Sequence, residues 1–147
     1  MSHSFVKNHM HVIFGTKDRE KLIPKDIQPE LWAYMAGICR NHDLVPIAIN
    51  GFHDHAHVLL HVPPTMSVAK VVMLIKANSS RWMREKEKQF KWQDGYAAYS
   101  VSVSNTPAVA NYIRNQQKHH ARISFEDEFL ALLKKHGVQF DPKYVFA

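Results

Sequence analysis

The hydrophobic positions of this chain change period along its length, and each change marks an element. His9 to Thr16 (HMHVIFGT) is rich in β-branched and aromatic residues and runs into a charged turn at 17–21, which predicts a first strand. Beyond Pro24, apolar residues recur at helical spacing as Ile27, Leu31, Tyr34, Met35 and Ile38, so Asp26 to Asn41 reads as a helix with its charges on the other side. Asp43 to Asn50 reads as a strand, Gly51 to Asp54 as a turn, and Ala56 to Val62 as a strand closed by two prolines; together they predict a hairpin. Ser67 is an N-cap for a long helix to about Lys88, with Val68, Val71, Val72, Ile75 and Trp82 on one side and Lys70, Arg81 and Arg84 nearer the other. A strand from Gly95 through Val103 follows. Asn105, Thr106 and Pro107 then introduce a helix to roughly Arg122, and Ser124 or a neighbour caps a final short helix, Phe125 to His136, that Gly137 ends.

The order strand, helix, strand, strand, helix, strand, with two further helices, predicts an α+β fold. Its plan is ferredoxin-like, a four-stranded antiparallel sheet with helices packed on it. No repeat, linker or second core interrupts it, so residues 1–147 are expected to form one domain, with about 125–147 as a C-terminal helical extension. The plan alone names no function, because it hosts RNA binders, metal carriers and enzymes.

Composition narrows the field. A 46% hydrophobic content suffices for a core, no run is apolar enough to span a membrane, and Met1 to Lys7 lacks the apolar stretch of a secretory signal, so a cytoplasmic protein is expected. Cys39 is the only cysteine, which excludes a disulfide framework and a cysteine-rich zinc site. Nineteen Lys and Arg against thirteen Asp and Glu leave a formal charge of +6, compatible with a polyanionic partner but shared by many basic domains. Eleven histidines direct attention to metal ligands.

Alternate residues of a strand share a face, so His55 and His57 project together and could converge on one divalent ion. His9 and His11 have the same spacing on the first strand, and spacing does not separate the pairs. Tyr112 and Gln116, four apart in a predicted helix, place a phenol and a carboxamide on one face. His119 returns near that face, and Arg114 and Lys118 add positive charge. Taken alone, Tyr112 reads first as a packed aromatic of an amphipathic helix, and only second as a nucleophile.

With these residues assembled, the chain resembles the single-tyrosine transposases of the HUH superfamily, the enzymes of the smallest bacterial insertion sequences. The resemblance rests on Asp54-His55-Ala56-His57-Val58-Leu59-Leu60 and on Tyr112 followed at plus four by Gln116. Phe14-Gly15-Thr16-Lys17, Ser79-Ser80-Arg81-Trp82 and Trp92-Gln93-Asp94-Gly95-Tyr96 are similar to stretches of the family and fall in its order. The small Ala56 departs mildly from the bulkier residue usual between the two histidines.

The resemblance implies a transposase that cleaves and rejoins single-stranded DNA at hairpin-marked ends through a 5′-phosphotyrosine. It assigns Tyr112 as nucleophile and His55, His57 and Gln116 as ligands of Mg²⁺ or Mn²⁺, and it leaves His9 and His11 a structural part. It also implies a homodimer with shared sites, in which the tyrosine helix can belong to either subunit. Lys76, Arg81, Arg84, Arg114, Lys118, His119 and Arg122 are the candidate DNA contacts, and Phe52, Trp92 and Tyr96 are aromatics for stacking or for the core. The alternatives are a domesticated relative acting on repeated extragenic hairpins, a non-enzymatic nucleic-acid-binding module, and a metallonuclease using water.

Overall fold

A computed structural model describes residues 4–147. Residues 1–3, part of the amino-terminal stretch considered above, lie outside the described residues. The strands are β1 (His9–Gly15), β2 (Val45–Phe52), β3 (His55–His61) and β4 (Ala97–Val101), and the helices are α1 (Gln28–Asn41), α2 (Val68–Arg84), α3 (Thr106–Arg114), α4 (Gln116–His119) and α5 (Phe125–Lys135). All strand pairings are antiparallel in the order β2-β3-β1-β4, the ferredoxin-like topology expected from the pattern. Ser67 and Ser124 cap α2 and α5 as their positions predict, accepting from the Lys70 and Asp127 amides.

The sheet is covered on both faces. One set of alternate residues, Val12 and Phe14 on β1 with Ala56, Val58 and Leu60 on β3, is buried against α1 and α2 together with Leu31, Met35, Val71, Val72, Ile75 and Met83. Ala56 is itself fully buried in this core. The opposite face carries α3 over β2 and β3, with Ala110 and Ile113 on Ala48 and Leu59. It also carries α5, with Phe125, Phe129 and Leu133 against Ile13, Ala97 and Tyr99. Gly15 is needed here, because a Cβ at that position would lie 2.6 Å from the Phe125 ring.

One predicted element is corrected. The helix expected to run from Thr106 to roughly Arg122 breaks at Asn115, whose φ and ψ of −100° and 22° leave the helical region. The Asn115 side chain donates to the Asn111 carbonyl at 2.9 Å, competing with the helical ladder, and the chain restarts in the four-residue α4. Tyr112 lies in the last turn of one helix and Gln116 begins the next.

A candidate metal and nucleophile centre

His55 and His57 point from the start of β3 toward α3, α4 and α5, and both are fully buried. The cluster is closed by Gln116 and His120 from the α4 segment, Tyr112 from α3 and Glu128 from α5. His55 Nε2 lies 2.9 Å from Gln116 Oε1, and His120 Nε2 lies 2.8 Å from the same oxygen. Glu128 Oε1 lies 3.0 Å from His57 Nε2, 3.1 Å from His120 Nε2 and 3.5 Å from His55 Nε2. The other carboxylate oxygen, Oε2, accepts from the Tyr112 hydroxyl and from Gln116 Nε2, the latter at 3.2 Å. Phe125 stacks on His55 with ring centroids 4.3 Å apart, which fixes that imidazole from the side.

The donors and acceptors around this cluster fit a cation at its centre. His55 Nδ1 lies 2.8 Å from Asp54 Oδ1 and His120 Nδ1 lies 2.7 Å from the Ile123 carbonyl. Carboxylate and carbonyl oxygens only accept, so the proton of each neutral ring sits on Nδ1 and each Nε2 turns a lone pair inward. There it meets Gln116 Oε1, which also offers only lone pairs. Some positive charge must bridge them, either a second proton on each ring or one shared ion. Donors bound at about 2.1 Å and at right angles stand roughly 3 Å apart, and the observed separations of 2.8–3.5 Å match that spacing. The ligand-bearing atoms of His55, His57, His120 and Glu128 all lie within 4.8 Å of one another. The arrangement fits a divalent ion with mixed imidazole and oxygen ligands.

His11 has a supporting place in this arrangement. Its Nε2 lies 2.8 Å from His57 Nδ1, so His57 can donate from Nδ1 and present Nε2 to the centre. His9 instead bonds Thr106 Oγ1 at 2.8 Å, away from the cluster.

Burial shapes the electrostatics. It lowers the pKa of His57 to about 4, with Glu128 opposing, and lowers that of His11 well below its ordinary value, with His57 adding to the effect. His120 is raised: burial opposes its charge, but the hydrogen bond and charge of Glu128 outweigh it. Glu128 stays far below the ordinary carboxylate range, because His120 and His57 outweigh its own burial. Tyr112 is pushed well above a normal phenol by burial first and by the Glu128 charge second, so its hydroxyl holds its proton. A pocket of about 390 Å³ reaches Tyr112 between β4 and α5, lined also by His11, Tyr99, Val109, Leu132 and Lys135.

The structure thus brings Tyr112, His55, His57 and Gln116 into one site within a single chain. His119 joins them, its ring 5.3 Å from that of Tyr112 and its Nε2 3.3 Å from Glu128 Oε2. Arg114, Lys118 and Arg122 are exposed on and just after the segments that carry Tyr112 and Gln116. Lys76, Arg81 and Arg84 belong to α2, on the other side of the sheet. Lys76 Nζ donates to the carbonyls of Gln93, Asp94 and Gly95, and Arg84 to Ser80 Oγ. Trp92 is buried in the core, donating to Ser79 Oγ, while Phe52 stacks on His120 and Tyr96 is exposed. Sequence reasoning did not select His120 or Glu128. The available signal for Glu128 was a lone carboxylate on the apolar stripe Phe125, Phe129, Leu133 of α5; His120 follows Gln116 by four.

Comparisons with known proteins place the chain in a family. The chain is similar to the transposases for insertion sequence element IS200 of Salmonella typhimurium and Salmonella typhi, each 26% identical over 114 residues that cover 72% of this chain and 74% of the relative. In fold it is similar to a protein from Deinococcus radiodurans R1 assigned as a transposase, with a TM-score of 0.65, 22% identity, and coverage of 79% of this chain and 95% of that one. It is also similar to a REP-associated tyrosine transposase bound to a REP hairpin, with a TM-score of 0.61, 14% identity, and coverage of 84% and 74%. Among the described residues no helix is long and apolar enough to cross a membrane. The family model described as transposase, IS200-like, matches residues 4–116, well over half of the chain and inclusive of both histidines, Tyr112 and Gln116. The chain belongs to the IS200-like transposases, a family of enzymes that cut DNA and transfer its strands.

Proposed function

We propose that this transposase cleaves and rejoins single-stranded DNA at hairpin-marked ends, with Tyr112 as nucleophile and a divalent ion beside it. The observation that carries the reading is the meeting of the Tyr112 hydroxyl with the inward-facing donors of His55, His57 and Gln116 in one buried cluster. Mg²⁺ or Mn²⁺ held by those three residues, with His120 and Glu128 in reach, would supply positive charge against the oxygens of a scissile phosphate.

The chain's own residues account for the remaining steps. Asp54, Ile123 and His11 hold the three imidazoles in orientation. Tyr112 attacks phosphorus, its oxygen displacing the 3′ oxygen and leaving a 5′-phosphotyrosine with a free 3′-OH. That ester retains the energy of the broken bond, so a 3′-OH can later displace Tyr112 and reseal DNA without an external energy source. The REP-associated relative bound to a REP hairpin supports a hairpin as the substrate element. A homodimer remains the working assembly. The single-chain site supports each subunit using its own tyrosine, and mixing Tyr112→Phe with His55→Ala subunits should then give no recovery of activity.

The direct test is incubation with a hairpin-bearing single-stranded oligonucleotide and Mn²⁺, followed by a denaturing gel. A slow protein–DNA species that Tyr112→Phe abolishes is the expected result. Cleavage without that species means that water is the nucleophile, and binding without cleavage means a recognition module.

A further inference from the structure

The family match ends at residue 116, yet the centre is completed by a side chain twelve residues further on. Glu128 is 2% exposed, and its two oxygens face different partners. Oε1 faces the imidazoles of His55, His57 and His120. Oε2 faces the nucleophile, accepting directly from the Tyr112 hydroxyl. Gln116 Nε2 donates to the same oxygen at 3.2 Å and holds the carboxylate in that orientation. Its backbone is fixed as well: the Ser124 cap starts α5, and Phe125 and Phe129 anchor the helix on either side of Glu128.

From this geometry we infer that Glu128 is a catalytic residue, the proton acceptor for Tyr112. The inference rests on the tyrosine-nucleophile reading above. In the cleavage step the Tyr112 O–H bond breaks and its proton passes to Glu128 Oε2. The phenolic oxygen bonds to phosphorus, the bond from phosphorus to the 3′ oxygen breaks, and that oxygen takes a proton from solvent. In the rejoining step a 3′-OH gives its proton to solvent as its oxygen bonds to phosphorus, the bond from phosphorus to the Tyr112 oxygen breaks, and Glu128 returns its proton to that departing oxygen. The transfer accompanies attack: as the phenolic oxygen bonds to phosphorus its hold on the proton collapses, so a carboxylate that its imidazole neighbours keep weakly basic can still take it, and Glu128 is the carboxylate that touches it. The C-terminal helix is on this account part of the catalytic apparatus.

Glu128→Gln separates this role from metal holding, because the amide keeps an oxygen donor toward the imidazoles but cannot take up the phenolic proton. Three measurements on the full-length protein decide the matter. In single-turnover adduct formation with a hairpin oligonucleotide, Glu128→Gln should be slower by about a hundredfold, within the usual range for loss of a proton acceptor. Calorimetric titration with Mn²⁺ should give a dissociation constant within about tenfold of wild type, as expected where a ligand oxygen is preserved. Replacing Tyr112 by a trifluorinated tyrosine, a more acidic phenol, should recover at least about tenfold in Glu128→Gln while changing wild type by less than about threefold, since an acidic nucleophile depends less on a base.

Adduct formation at the wild-type rate or faster in Glu128→Gln overturns the inference, and a faster rate marks Glu128 as a block on the site. So does a loss of Mn²⁺ binding as large as the loss of rate, or an equal response of both backgrounds to the fluorinated phenol. If Glu128→Gln does not fold, Glu128→Asp carries the same comparison, with a slowed rate and the same fluorotyrosine rescue expected. Wild-type protein that forms no Tyr112 adduct overturns both readings; normal wild-type adduct with an unaffected variant overturns this one alone.

Discussion

On β3 the residues facing α1 and α2 are Ala56, Val58 and Leu60, and those facing α3 to α5 include His55 and His57; all five are fully buried. Burial therefore does not distinguish the two sides of this sheet. What differs is the consequence of removing water. On the α1–α2 side it removes apolar surface from solvent and stabilises the fold. On the other it desolvates imidazoles, a phenol and a carboxylate, which are tolerated only because each finds a partner. One side should answer to substitution in stability, the other in chemistry.

The sharpest break is at the nucleophile. Tyr112→Phe keeps the ring and removes only the hydroxyl. Adduct formation should fall by at least about a thousandfold, as for loss of other catalytic nucleophiles. Chemical denaturation should place its stability within about 1 kcal/mol of wild type, the scale of one hydrogen bond. A large loss of stability would make Tyr112 a structural aromatic.

The reverse substitution lies five residues beyond His55 on the same strand. Leu60→Ala leaves a cavity in a fully buried core and should cost about 3 kcal/mol in urea unfolding. Mn²⁺ affinity measured well below the unfolding transition should stay close to wild type. Comparable losses in both quantities would mean that the two faces are not separable.

Metal removal ranks next. With donor lone pairs turned on one another, an ion that binds the folded state alone should stabilise it by about 2.7 kcal/mol at a hundred times its dissociation constant. A thermal shift with Mn²⁺, reversed by EDTA and absent in His55→Ala, is the expected pattern. A shift that survives in His55→Ala would move the ion elsewhere.

Legibility in the sequence followed the same division. The sealed side was readable because the β-rich apolar runs of β1 and β3 and the helical spacing on α1 and α2 are local signals. Ser67 and Ser124 marked helix starts by their own side-chain chemistry. The centre was readable only where two residues share an element, as His55 and His57 do. Tyr112 and Gln116 were paired on the expectation of one helix, and they still meet although Asn115 breaks it. Glu128 stayed hidden because its partner His57 is 71 residues away and an acidic residue in an amphipathic helix usually faces water. His11 stood beside an identical spacing pattern, and only the strand register Ile13↔His57 brings its ring to that of His57.

The smallest expected effect concerns charge on the two sides. On the face of the sheet that carries Tyr112, α3, α4 and the segment after them leave Arg114, Lys118 and Arg122 exposed. Arg81 and Arg84 sit on α2 with the whole sheet between them and that hydroxyl. Each phosphate contact on a single strand contributes about 0.7 to the slope of log affinity against log salt, so replacing Arg114, Lys118 and Arg122 by Ala should flatten that slope by about 2. Affinity for a hairpin oligonucleotide should fall by roughly tenfold at moderate salt, while Arg81→Ala with Arg84→Ala should change it less than about twofold. Fluorescence anisotropy across a salt series measures both. If the α2 pair carries the larger share, the DNA path crosses the sheet edge, and the face that holds the chemistry is not the face that holds the strand.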